Sequence, residues 1–450
     1  MSLRTPILRI PRGVTLVELM VAMVLGLLVS AGIITLFLST SASNRVQTQL
    51  ARMQEDGRFA IGKLNDDLSA ATGMYCNNTG GVATETLSGQ MLDGLRTPRI
   101  LAKNFLALPA LFENTSRWGE TSGEVKYPDE PTAAYAMPSF MYMRGYNCTG
   151  KGACLPIPVN FLGGKLDTAG TEVGDRLVGT DVLTLRYLDA SRGWRLGDTS
   201  KVVPNADGST LKEIDLAPAA SEPPVTDFKS TMALVADCSS AQVFAVTGSK
   251  TAVLTPDGTN NFSTPLALQP QSAPRLFDFV NDMQNVTYYV QVVSDDGSAG
   301  GVKTGALMRR VNGTTVSVPD QELIRGVERL TFRYGVEDSD GKVRFLTADE
   351  VDKRKDCPPS ASTLSPSDPG CAWRAVKSIE VSMLISSQVT MPNLTEPETA
   401  FLYTPDATDA FAPVLPTDDS LAIKPSDQGF DDKRLRRQFT SLVMLRNYNP

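Results

Sequence analysis

The sequence predicts an α+β protein: a long N-terminal α-helix, half transmembrane and half amphipathic, packed on a large β-rich globular head. Three observations predict it. An apolar run from Leu19 to Leu38 carries no charge. Apolar residues then recur at helical spacing as far as Leu68. Beyond them, stretches that alternate apolar and polar residues follow one another to the C-terminus, separated by turn signals.

The first run contains two hydroxyls, Ser30 and Thr35, and two glycines, Gly26 and Gly32. At ~1.5 Å per residue it makes ~30 Å of helix, one hydrocarbon thickness. Within lipid a single segment satisfies its backbone groups only as a helix. Arg4, Arg9 and Arg12 precede it without an acid. The positive-inside rule therefore keeps that end cytoplasmic and sends the remainder across. Glu18 stands at the edge of the run, where an ionised carboxylate is costly without a partner. Cleavage after Gly13 would place a new amine on Val14, one helical turn from that carboxylate. On two adjacent helices, each group would neutralise the other.

The second half of the helix is read from Val46, Leu50, Met53, Ala60, Ile61, Leu64 and Leu68, an apolar stripe suited to a globular partner. Arg45, Gln49, Arg52, Glu55, Asp56, Lys63, Asp66 and Asp67 fill the polar side. Gly57 and Gly62 are expected to weaken it, and Thr72-Gly73 to stop it.

From Tyr75 to about Gly179 the periodicity is weak and reads as long loops with short strands. Half-buried strands are then expected at 181–187, 232–236, 242–246, 286–293, 306–311, 327–334 and 378–385. Pro256-Asp257-Gly258, Asp295-Asp296-Gly297, Asn312-Gly313 and Asp340-Gly341 mark turns between them. The proline-rich stretch 391–432 reads as an insertion or mobile loop outside the core. Residues 438–446 form a last strand that would bury Phe439, Leu442 or Val443, and Leu445.

The chain has 450 residues and a net charge of −7. Loss of a leader bearing three arginines would bring the mature chain to about −10. That balance argues against binding nucleic acid, which needs clustered cations. With no histidine, Ser-His-Asp and Cys-His catalysis and the commonest metal ligand are removed, and no other residue spacing singles out an active site. No metal, cofactor or enzymatic activity is expected. The six cysteines would lie outside the cytoplasm, where disulfides form. Cys357–Cys371 would close a loop worth ~3 kcal/mol. Cys148–Cys154 would close a short turn, leaving Cys76 for Cys238. There is no paired C-x-x-C zinc knuckle. Glu337-Asp-Ser-Asp-Gly341 lacks a full calcium loop and reads as a hairpin turn.

Gly13-Val14-Thr15-Leu16-Val17-Glu18 resembles the class III signal of type IV prepilins and pseudopilins. Residues 180–187, Ala236-Asp-Cys-Ser-Ser240, residues 323–335 and the closing Phe439-Thr-Ser-Leu-Val-Met-Leu-Arg446 look like the PilW-type minor pilins. Segments 79–140 and 391–432 match no block of that resemblance. The resemblance implies prepilin-peptidase cleavage after Gly13, N-methylation of Val14, and Glu18 as the assembly carboxylate. It divides the chain into a leader (1–13), a transmembrane and filament-core helix (14–38), an amphipathic helix (39–72) and a pilin head (73–450). The expected partners are other minor pilins, the major pilin, a tip adhesin and the inner-membrane assembly machinery. The head would lie in the periplasm and later at or near the pilus tip, supporting assembly initiation, twitching motility, adhesion or DNA uptake. A J-type pseudopilin of type II secretion shares the N-terminal features. A membrane-anchored adhesin or ligand-binding module, with 391–432 as its contact surface, is the reading from another class.

Overall fold

The computed structural model describes residues 15–73, 75, 82–86, 89–93, 98–103, 105, 118–119, 121–122, 125–126, 129–148, 154–159, 162, 164–237, 240–248, 250–298, 300–312, 320–337, 342–354, 370–406 and 412–445. It bears out the expected class: one long helix, then a β-rich remainder made of several antiparallel sheets.

Helix α1 runs from Leu16 to Ala70. Contacts divide the chain into two compact units, Met1–Arg52 and Met53–Pro450. In the second unit, α1 buries Met53, Gly57, Ala60, Leu64, Asp67 and Leu68. The expected stripe is therefore present from Met53 onward, with two additions. Gly57 sits on it because a Cβ there would come within 2.5 Å of the Phe439 ring, so its cost in helix propensity makes room for packing. Asp67 was placed on the polar side by its chemistry, yet it is buried. The helix stops where expected: Thr72 adopts a positive φ of 61°, and its N–H donates to the Arg186 carbonyl at 2.9 Å.

Among the described residues three large sheets build the head, beside two two-stranded ones. The first orders β5-β4-β3-β2-β1, where β1 is Met143–Tyr146, β2 Val182–Leu188, β3 Met283–Ser294, β4 Lys303–Val311 and β5 Gln321–Arg325. Both of its long central strands were legible as alternations. The second sheet is built around Met232–Ala236, Ala241–Thr247 and Arg275–Asp278. It closes over Trp194, Ile214, Phe228, Phe244, Leu254 and Leu276. The third orders β7-β6-β8-β9, with β6 Val327–Glu337, β7 Val343–Leu346, β8 Val376–Ser386 and β9 Arg436–Met444. The first and third sheets join at Asp181, whose N–H donates to the Leu330 carbonyl at 2.9 Å.

The stretch 391–432 corrects the sequence reading. Leu394, Phe401, Tyr403, Leu421, Ile423 and Phe430 are buried within it. Phe401, Tyr403 and Leu421 form a cluster with Leu384 of β8. Arg329 of β6 holds Asp406 through two bonds of 2.6 and 2.8 Å, and its guanidinium lies 4.8 Å from the centre of the Tyr403 ring. The segment is part of the core of the third sheet. Its prolines set an irregular backbone path, which apolar side chains can still fill without any helical or strand period.

In β9 the alternation resolves in favour of Val443 over Leu442. Val443 and Leu445 are buried, Phe439 is partly buried, and Leu442 is exposed. The turn 338–341 lies outside the described residues, while its flanking strands pair antiparallel with Glu337 opposite Val343.

Candidate functional site

The N-terminal helix carries the candidate site. Gly13 and Val14 lie outside the described residues. Glu18 is described, and it is not alone. Its Oε2 accepts from the Thr15 N–H at 3.1 Å and from the Thr15 hydroxyl at 3.2 Å, and its own N–H donates to Thr15 Oγ1 at 3.2 Å. This reciprocal capping box satisfies backbone donors that the first turn leaves without partners. The signal was present in the sequence as Thr-x-x-Glu at the start of an apolar helix. Reading Glu18 only as a lone charge overlooked it.

Every residue from Leu16 to Leu38 is exposed. Among the described residues, α1 is the one helix long and apolar enough to cross a membrane. Its polar groups add little: the Thr35 hydroxyl donates back to the Gly32 carbonyl at 2.8 Å. An apolar surface of this extent needs lipid or other apolar helices around it.

Further along, α1 is fixed to the head by a buried carboxylate. Asp67 accepts from Arg309 Nε at 2.6 Å and Nη2 at 3.1 Å, from the Tyr288 hydroxyl at 2.5 Å and from the Tyr187 hydroxyl at 3.0 Å. Burial pushes the Asp67 carboxyl up, but the bonds from Arg309, Tyr288 and Tyr187 outweigh it and hold the carboxyl below its ordinary value. Burial also opposes the charge on Arg309, and Asp67 overcomes that and raises it. Both partners thus shift toward the ion pair. Three strands of the first sheet's neighbourhood converge here: Tyr187 comes from β2, Tyr288 from β3 and Arg309 from β4.

The cysteines are placed unevenly. Cys148 and Cys154 form a disulfide with Cα atoms 4.3 Å apart. The Cys148 N–H donates to Asp181 at 2.7 Å, tying that turn to β6 through a second bond from the Phe332 N–H at 3.1 Å. Cys371 is disulfide-bonded. Cys76, Cys238 and Cys357 lie outside the described residues, and no described cysteine is free. Among the described residues no cluster of ligating side chains suits a metal ion.

Comparison with known families falls on the two parts just described. Residues 9–34 match the prokaryotic N-terminal methylation motif. Residues 287–447 match the type IV pilus-assembly protein W (PilW) family, a range that runs from β3 through β9 and includes 391–432. No curated protein and no solved structure matches the chain. The methylation motif at the start of an exposed apolar helix, and the assembly-protein match across the closing strands, support a PilW-type pilin.

Proposed function

We propose that this chain is a minor type IV pilin that helps initiate pilus assembly and sits at or near the filament tip. The observation that carries the reading is the helix of the methylation motif, whose apolar side chains are exposed from Leu16 to Leu38. Lipid covers that surface before assembly, and the helices of neighbouring pilins cover it afterwards. Prepilin peptidase cuts after Gly13, Val14 is N-methylated, and the Glu18 carboxylate meets a neighbour's amine during transfer. The transmembrane helix ends near residue 38, the amphipathic helix near 72, and the head occupies the periplasm. Other minor pilins, the major pilin, a tip adhesin and the inner-membrane assembly machinery are the partners. Twitching motility, adhesion or DNA uptake follows from the filament.

Two substitutions test it. Gly13→Ala blocks processing, and a mature N-terminus other than Val14 in the unaltered protein would refute the cleavage site. Glu18→Gln keeps an acceptor for the capping box but removes the charge. It should leave the protein in the membrane and out of sheared pili, whereas normal incorporation of that variant would sink the charge-pairing role. Co-purification with type II secretion components instead of pilins would favour the pseudopilin alternative.

A further inference from the structure

Strand β9 ends its sheet, and its outer side has no strand partner among the described residues. The Leu445 N–H donates to the Lys377 carbonyl at 2.9 Å, which sets the phase of the ladder. By the antiparallel alternation, Val443, Ser441 and Phe439 turn their backbone groups toward β8. Gln438, Thr440, Leu442 and Met444 therefore turn theirs outward. The register with β8 is continuous from Arg436 to Met444, without a bulge. Leu442 and Met444 are 54% and 60% exposed.

Four other end strands are protected, as edges in monomeric proteins usually are. Strand β5 carries Glu322 and Arg325 and pairs across an irregular register. Strand β7 carries Arg344 and follows Lys342. The outer strand Lys201–Pro204 of the second sheet has a lysine, a proline and a register shift. Strand β1 is buried throughout. Strand β9 carries charge only at its first two residues, Arg436 and Arg437: Gln438 to Leu445 contains no charge and no proline.

We propose that β9 accepts an extended strand from a second, different protein, which adds to the sheet as its fifth strand. Charge selects the occupant. From Lys433 to Pro450 the sequence holds Lys433, Arg434, Arg436, Arg437 and Arg446 and no acid. Arg436 is taken by buried Glu328 at 2.7 Å, but Arg437 is exposed and has no ion pair among the described residues. A second copy's β9 would bring only cations or neutral residues to it. The occupant is therefore a strand of another chain, apolar or hydroxylated beside Thr440, Leu442 and Met444, and acidic where it passes Arg437. Backbone bonds supply affinity, and the alternate side chains supply selection.

The test uses the full chain in detergent micelles and two fluorescent decapeptides of alternating Thr and Val, one ending in two aspartates and the other in two lysines. Anisotropy should show the acidic peptide binding at least about tenfold more tightly. Leu442→Lys and Met444→Lys place charge on an exposed edge and should weaken it by about tenfold or more at an unchanged urea midpoint. Arg437→Glu should reverse the preference between the peptides. Equal binding by the edge variants, or no binding to the unaltered chain, overturns the proposal. So does a dimer of the full chain in sedimentation that Leu442→Lys dissociates, because a second copy would then be the occupant.

Discussion

Asp67→Ala removes a helical side chain that ties α1 to three strands of the first sheet at once. The carboxylate takes four bonds, two from Arg309 and one each from Tyr288 and Tyr187. Losing one partner of a buried ion pair typically costs 3–5 kcal/mol, because the other charge stays buried and unpaired. Arg309 keeps 13% side-chain exposure, so water reaches part of it and the lower end applies. The expected loss is about 3 kcal/mol, plus a fraction for two hydroxyls that must find new acceptors. Urea unfolding of the full chain in detergent, followed by tryptophan fluorescence, measures it. Arg309→Ala should cost a similar amount, and the double variant about 2 kcal/mol less than the sum of the singles. Additive losses, or a loss below about 1 kcal/mol for Asp67→Ala, would refute the anchor. The pH dependence gives a second reading. The Asp67 carboxyl is held below its ordinary 3.8, so its contribution is complete above that pH and is lost as pH falls through the depressed folded value. The unaltered head should therefore lose its stability advantage over Asp67→Ala as the solution is acidified below about pH 4.

Three further outcomes are expected. Gly57→Val should destabilise the head by about 2 kcal/mol through overpacking against Phe439, and Phe439→Ala in the same chain should recover part of that loss in the urea midpoint. Burial pushes the Asp181 carboxyl up to about 7, against the opposing bonds from the Cys148 and Phe332 N–H groups and the charges of Arg329 and Arg333. A folded value above the unfolded one favours the protonated folded state, so stability should fall as pH rises through about 7, and Asp181→Asn should reduce that slope. Non-reducing peptide mapping should find Cys371 joined to Cys357, and a link to Cys76 or Cys238 would reject the assignment.

What was legible in the sequence depended on whether packing follows a period. Met232–Ala236 appears as read, and the alternations near 286–293, 327–334 and 378–385 fall inside β3, β6 and β8, which extend beyond them. Long strands that bury one face repeat the same choice at every second residue, and that repetition survives a few exceptions. Short strands do not repeat it often enough. Leu211–Asp215 has two buried positions and Val343–Leu346 has none, so neither presents a signal separable from a loop. The 391–432 segment failed for a different reason. Leu394, Phe401, Tyr403 and Leu421 reach the core from irregular backbone, where spacing carries no information about direction.

The candidate site divides along the same line. The cap formed by Thr15 and Glu18 is local, three residues apart, and its chemistry is readable from residue types alone. Asp67 is the opposite case. It lies three residues after Leu64 and one before Leu68, so the helical wheel puts it beside the buried stripe, where an aspartate would ordinarily be excluded. What makes it acceptable is Arg309, 242 residues away, delivered by the register of β4 on β3 and by nothing in the helix itself. Gly57 is intermediate: its place on the stripe between Met53 and Ala60 was visible, but the need for a missing side chain came from the ring of Phe439 on the last strand. An isolated charge or glycine on an apolar helical face is thus evidence that a distant strand supplies a partner or a bulky side chain at that height. For this chain that inference would have pointed to β4 and β9, the strands that fix the helix to its head.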